Sequence, residues 1–198
     1  GRVWNSVEGV RFVSALHGYA VEKPETVKRM FGHGRNLPPD WRAPDKVLQC
    51  ARLLCLSAAR RLRRSHYRAG ALSYTVGTRW DSRVTVEGQF RPARDDHSFL
   101  NCLNDLHEKL IKAGEMKKVN SVTVVLHDLS GETEASLDLF DTRGMTEQRG
   151  QWERVSDLLD RVRVRHGSKA LNLGLTTGPG NYIGSKIAFG RIPEPEDF

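Results

Sequence analysis

Between Ala69 and Arg91 the chain alternates strictly between apolar and polar side chains on both sides of a turn, and few folds accommodate that pattern. Leu72, Tyr74 and Val76 interleave with Ser73, Thr75 and Gly77; after a turn around Asp81-Ser82, Val84, Val86 and Phe90 interleave with Arg83, Thr85, Glu87, Gln89 and Arg91. Successive side chains of a strand point to opposite faces, so this period of two predicts a β-hairpin with one face on a core and one open to solvent. The open face collects hydroxyls, an amide and guanidiniums, the groups that hydrogen-bond phosphate oxygens. Ser73, Thr75, Arg79, Arg83, Thr85, Gln89 and Arg91 are therefore candidate phosphate-binding positions on a sheet laid against a nucleic-acid backbone. The competing reading is a half-solvated sheet whose polar face does nothing.

The elements around the hairpin follow from spacing. Val3, Trp4, Val7, Val10 and Val13 suit one or two helical turns, broken near Gly9 and again at His17-Gly18, before a linker over 20–26 that contains Pro24. Residues 27–35 are strand formers ahead of the breakers Pro38-Pro39. Pro44 opens a helix to about Ser65 in which Val47, Ala51, Leu54, Ala58 and Leu62 share one side, with Lys46, Arg52, Arg60, Arg63 and Arg64 on a charged outer side. Asp95 or Asp96 caps a second helix, with Phe99, Leu103, Leu106 and Leu110 in phase and Gly114 at its end. Residues 118–128 form a strand with Val122, Val124 and Leu126 inward. The predicted fold is α+β: a four-stranded antiparallel-type sheet in the order β-α-β-β-α-β, two helices on one face, the other face open. An acidic loop, a helix over about 146–166 with Trp152, Val155, Leu158, Leu159 and Val162 in phase, a short extended piece at 171–174 and an irregular, glycine-rich tail complete the chain.

Composition limits the function classes. The chain has 198 residues, 38% of them hydrophobic, and no apolar run approaches the ~20 residues of a membrane-spanning helix. Its net charge of +7 and pI near 9.6 attract polyanions. Cys50, Cys55 and Cys102 match no metal-binding spacing, and an odd count without a signal peptide suits three structural thiols in a reducing cytosol. The patterned start GRVWNSVEG, without an initiator Met, suggests a fragment.

These pieces, taken in order, resemble the carboxy-terminal part of the Y-family translesion DNA polymerases of the UmuC (impB/mucB/samB) type. Arg29-Met30-Phe31-Gly32-His33-Gly34-Arg35, followed by Leu37-Pro38-Pro39, is similar to the family's Lys-Ser-Ile-Gly-His-Gly-Arg strand that opens the little finger. The arginine-rich helix ending in ARRLRR and the order of elements agree with it. So do Ser136-Leu137-Asp138-Leu139-Phe140-Asp141, which resembles a sliding-clamp motif, and the far end with Arg165-His166-Gly167 and KIAFGRIP. The resemblance implies the end of a thumb and a linker over 1–26, a little-finger domain over 27–130, a clamp-binding-like loop over 131–145 and a helical extension with a tail over 146–198. It further implies sequence-independent grip on primer-template duplex in damage tolerance, in a bacterial cytoplasm at the nucleoid, by a monomeric fragment. It adds Arg29, His33 and Arg35 as DNA-binding positions, and Ser136, Leu137, Leu139 and Phe140 as clamp-binding ones. Met30 departs from the family serine, Ser136 from the clamp motif's leading glutamine, and Glu87 puts a negative charge on the presumed DNA face.

Polymerase chemistry needs paired palm carboxylates that hold Mg2+. Asp95, Asp96, Asp138 and Asp141 match none of the family's catalytic positions, so this chain is expected to catalyse nothing and to need no cofactor, the Mg2+ belonging to a palm domain of the parent. Gly178-Pro179-Gly180 through Gly184-Ser185-Lys186 has the wrong spacing and order for a phosphate loop, and the seven histidines are scattered. Trp80 at the hairpin tip either covers the core edge or stacks on a base. One alternative is a protein-interaction region of a catalytically inactive polymerase-like subunit. An RNA-binding sheet would need exposed aromatics on its central strands, whereas Tyr74 and Phe90 fall on the apolar phase.

Overall fold

The hairpin forms where the alternation places it, and its apolar phase becomes the centre of the core. The computed structural model describes residues 7–21, 28–78, 82–131, 143–167, 170, 171 and 173. In chain order these form α1 (Val7–Leu16), β1 (Met30–Asn36), a 3-10 turn (Pro39–Trp41), α2 (Pro44–Arg64), β2 (Tyr67–Thr78), β3 (Arg83–Ala93), α3 (Asp96–Lys112), β4 (Val119–Gly131) and α4 (Arg143–His166). The strands make one sheet in the order β1-β4-β2-β3, antiparallel at every pairing, so the α+β fold expected from the sequence is the fold observed.

Leu72, Tyr74 and Val76 of β2 and Val122, Val124 and Leu126 of β4 are all fully buried, and α2 and α3 cover them. Both helices present the side that their spacing predicts: Val47, Ala51, Leu54, Ala58 and Leu62 from α2, and Phe99, Leu103, Leu106 and Leu110 from α3. Asp95 caps α3, its carboxylate accepting from the Ser98 backbone N–H and hydroxyl at 2.8 Å each. At the other end Gly114, at a φ of 77°, closes the helix, with Gly114 N donating to the Ile111 carbonyl and Glu115 N to that of Leu110. The Tyr74 hydroxyl lies 3.1 Å from His107 Nδ1, giving two buried polar groups one another as partners. Burial lowers the His107 pKa from its ordinary value and raises that of the Tyr74 phenol. Cys50, Cys55 and Cys102 are free thiols, and burial pushes the Cys102 pKa up to about 11.

The sheet's outer strands are each met by an arginine. Leu37 N donates to the Asn120 carbonyl, so by antiparallel alternation the residues two, four and six before it bond to β4, and Gly32 turns its backbone groups to the free edge. There Arg61 Nη2 donates to the Gly32 carbonyl at 2.8 Å. On the opposite edge Arg149 Nη2 donates to the carbonyl of Pro92 at 2.9 Å.

Three local expectations are corrected. Helix α1 runs unbroken through Gly9 and stops only at Gly18, whose φ of 80° completes a C-terminal cap with Gly18 N on Ala15 and Tyr19 N on Ser14. Arg63 is not on a solvated face, because α4 packs over the end of α2 and buries it. Its Nε lies 2.7 Å from Asp160 Oδ2, and its Nη1 lies 2.7 Å from Asp96 Oδ1 and 2.9 Å from the Arg94 carbonyl. Burial opposes this guanidinium's charge, but the hydrogen bond to Asp160 and the charges of Asp96 and Asp160 hold its pKa above the ordinary value. Leu158 is 53% exposed, because α4 docks with a partly polar stripe: Leu159 is buried, Ser156 accepts from the Asp96 N–H at 2.9 Å, and Glu153 takes both Arg68 and Arg94. Of the short extended piece expected at 171–174, residues 172 and 174 lie outside the described residues, and 171 and 173 carry no strand pairing. Trp152 stacks on His97 at 4.0 Å between centroids, which ties α4 to the start of α3.

Candidate nucleic-acid interface

The strand registers arrange the open face into four rows running across the sheet in the order β1, β4, β2, β3. The rows are Asn36, Ser121, Gly77, Arg83; then Gly34, Thr123, Thr75, Thr85; then Gly32, Val125, Ser73, Glu87; and last Met30, His127, Ala71, Gln89. A register irregularity between Ala69 and Ala71 follows, with Arg91 exposed beside it. Because residues paired across strands share a face, the five hairpin positions Ser73, Thr75, Arg83, Thr85 and Gln89 all belong to the polar phase of the sheet, while Arg91 is exposed within the irregular stretch beyond them.

The middle of the face is a hydroxyl ladder. Thr75 Oγ1 and Thr85 Oγ1 are 2.8 Å apart, and Thr123 stands on the other side of Thr75 in the same row. Glycine on β1 keeps the relief low: a Cβ on Gly34 would come within 2.6 Å of Thr123 Oγ1, so the threonine leans over a position that must have no side chain. One row on, Ser73 Oγ donates to Glu87 Oε1 at 2.8 Å and lies 2.7 Å from His127 Nε2. Glu87 is thus partly occupied by neighbours on its own face.

Of the positions added by family resemblance, His33 and Arg35 are not brought to this face. His33 pairs with Val124 and Arg35 with Val122, both core residues, so their side chains lie on the helix side of the sheet, and the Arg35 charge acts on Cys50 of α2. Arg29 precedes β1 and is exposed. Met30 occupies the open face, 58% exposed, at the end of the last row. Arg79, Trp80, Ser136, Leu137, Leu139 and Phe140 lie outside the described residues.

Four polar members of the face, Asn36, Ser121, Thr123 and His127, were not among the candidates. The three on β4 were within reach of the same alternation, since Val122, Val124 and Leu126 inward puts their odd-numbered neighbours outward. Asn36 gives no such signal, because Gly32 and Gly34 leave the outer phase of β1 blank. Among the described residues no three His, Cys, Asp or Glu side chains are grouped to hold a metal ion, and no helix is long and apolar enough to cross a membrane.

No curated protein sequence matches the chain. Solved structures similar to it include a Y-family DNA polymerase chimera of Dbh and Dpo4 (TM-score 0.46, 12% identity), an insertion ternary complex of Dbh DNA polymerase (0.45, 13%) and DinB from Sulfolobus solfataricus (0.44, 12%). In each case 62% of this chain is covered, and it spans 35% of the other. The impB/mucB/samB family C-terminal domain matches residues 28–139, from just before β1 to beyond the end of β4. That match takes in all four rows of the open face and more than half of the chain, which belongs to the impB/mucB/samB family.

Proposed function

We propose that this chain is the DNA-gripping C-terminal part of a Y-family, translesion-type DNA polymerase, holding primer-template duplex by its backbone irrespective of sequence. The observation that carries this reading is the four-row face: five serine and threonine hydroxyls, the amides of Asn36 and Gln89, the His127 imidazole and the Arg83 guanidinium lie on the side of the sheet away from α2 and α3, with Glu87 as the one carboxylate among them. No Phe, Tyr or Trp stands in those rows to stack on a base. Phosphate contacts fix orientation and carry no sequence information, which suits an enzyme that must accept damaged template. Arg79, which lies between β2 and β3 in the sequence, and Arg29, just before β1, are assigned to the same contact.

Phosphoryl transfer and its Mg2+ belong, on this reading, to a palm domain outside the chain, and these residues alone polymerise nothing. Ser136, Leu137, Leu139 and Phe140 form a tether to the sliding clamp, with Leu139 and Phe140 as apolar anchors for a pocket on that partner. The chain acts as a monomer in the bacterial cytoplasm, at the nucleoid, in damage tolerance.

The test is a salt titration of the chain binding a fluorescent duplex. Log affinity is expected to fall linearly with log salt, identically for unrelated sequences, and Arg83→Ala with Arg91→Ala should flatten the slope by about 1.8, from ~0.9 per phosphate neutralised. Binding whose slope the double substitution leaves unchanged would move the DNA contact off this face.

A further inference from the structure

We propose that His127 is a phosphate-contacting residue of the open face, and that Glu87 masks it through Ser73 until the imidazole takes up a second proton. The proposal rests on the DNA-binding reading and specifies how that site is controlled. Its basis is a three-residue chain across three strands: Ser73 Oγ lies 2.8 Å from Glu87 Oε1 and 2.7 Å from His127 Nε2, with Nε2 itself 3.8 Å from Oε1.

The proton positions follow from what each group offers. A carboxylate only accepts, and a serine hydroxyl has one proton, so Ser73 donates to Glu87. The Ser73 oxygen then accepts from His127, which places a proton on Nε2 and leaves Nδ1 with the lone pair. This is not the order of nucleophilic catalysis, in which the histidine accepts from serine and the acid backs the histidine. Here the hydroxyl proton points at the acid, and no base is aimed at Ser73. The arrangement acts on charge.

With the imidazole neutral, this part of the face carries the Glu87 carboxylate, 63% exposed and repelling phosphate. A second proton on Nδ1 makes an imidazolium beside that carboxylate and cancels its charge. The other charged groups around His127 keep their charge across the pH range in which an imidazole titrates. On β1 it faces Met30, beside which Arg29 is an exposed and permanent cation, while Lys28, just before the strand, holds its ammonium 4.5 Å over the Phe31 ring. On β2 it faces Ala71 and Ser73, with Arg68 further along that strand bound to Glu153 of α4. On β4 its charged neighbour is Asp128, which lies against Gly70. On β3 the charged groups are Glu87 itself and the two arginines four positions to either side, Arg83 and Arg91.

The experiment measures affinity and salt slope for duplex DNA at about pH 5.5 and pH 8. The unaltered chain should bind tighter at the lower pH, with a slope steeper by ~0.9, one further phosphate neutralised. His127→Asn should remove that pH dependence, and Glu87→Gln, on an exposed edge strand, should raise affinity at pH 8 several-fold. A pH dependence that survives in His127→Asn, or a Glu87→Gln chain no tighter at pH 8, overturns the proposal. Salt-dependent binding sensitive to Arg83 and Arg91 but equal at both pH values overturns this inference alone. No salt-dependent binding at either pH removes the DNA reading and this inference together.

Discussion

Asp96→Asn keeps the shape of a buried side chain and removes its charge, and the structure sets the size of the effect. Arg63 and Asp96 are 4% and 0% exposed at the side chain and meet at 2.7 Å. Removing one member of such a pair costs about 3–5 kcal/mol, mostly because the surviving charge is left buried without its counterion. Arg63 keeps Asp160 at 2.7 Å and the Arg94 carbonyl at 2.9 Å, and an asparagine oxygen still accepts, so the lower end, about 3 kcal/mol, is expected. For a domain of this size each kcal/mol moves Tm by about 2–4 °C, so Tm should fall by about 6–12 °C. In urea the midpoint should drop with the slope unchanged. The control replaces both partners, Arg63→Met with Asp96→Leu, and should be more stable than Asp96→Asn, because the Arg63 charge is gone with its counterion and Asp160 and Arg163 keep one another at 3.6 Å. A loss under about 1 kcal/mol for Asp96→Asn would refute the view that this carboxylate offsets the burial of Arg63.

Two further stability predictions test other parts of the fold. His107 is held below its ordinary pKa by burial, so the unfolded chain protonates first as pH falls. Its contribution is complete above about pH 6.5 and is lost on acidification through that value toward the folded pKa; Tm should decline from pH 7.5 to pH 5 and decline less in His107→Gln. Gly34→Ala places a methyl within 2.6 Å of Thr123 Oγ1 and should destabilise by about 1–3 kcal/mol, with Thr123→Ala in the same chain recovering part of that in urea denaturation.

Most of the fold was legible because its signals are local. The period of two in β2 and β3, the helical spacing from Val47 to Leu62 and from Phe99 to Leu110, and the caps at Asp95 and Gly114 each lie within one element. What escaped depends on contacts between distant elements. Arg63 looks like any surface arginine in the sequence of α2, and its partner Asp160 is 97 positions away. Leu158 fits the apolar period of α4, yet the docking surface made by Asp96, Arg94 and Arg68 selects polar positions beside it. On β1 no amount of local reading assigns faces, since Gly32 and Gly34 erase one phase. Only the register against β4 turns His33 and Arg35 toward the helices. The open face was read correctly strand by strand for the hairpin, but its rows need the strand order, which no local pattern encodes.

The two arginines on the sheet's edges bear on how this domain behaves in company. A four-stranded sheet with free outer strands is a template for another chain, and crowding along a polyanion raises the local concentration at which such pairing begins. Here Arg61 occupies the outward carbonyl of Gly32 on one rim, and on the other Arg149 takes the carbonyl of Pro92, a residue with no N–H to offer. On each rim one carbonyl is taken by a cation from the chain's own helices, whose charge also opposes the approach of a second, equally basic copy. Under the DNA-gripping reading proposed above, copies bound side by side on one duplex would meet at rims that already carry these contacts.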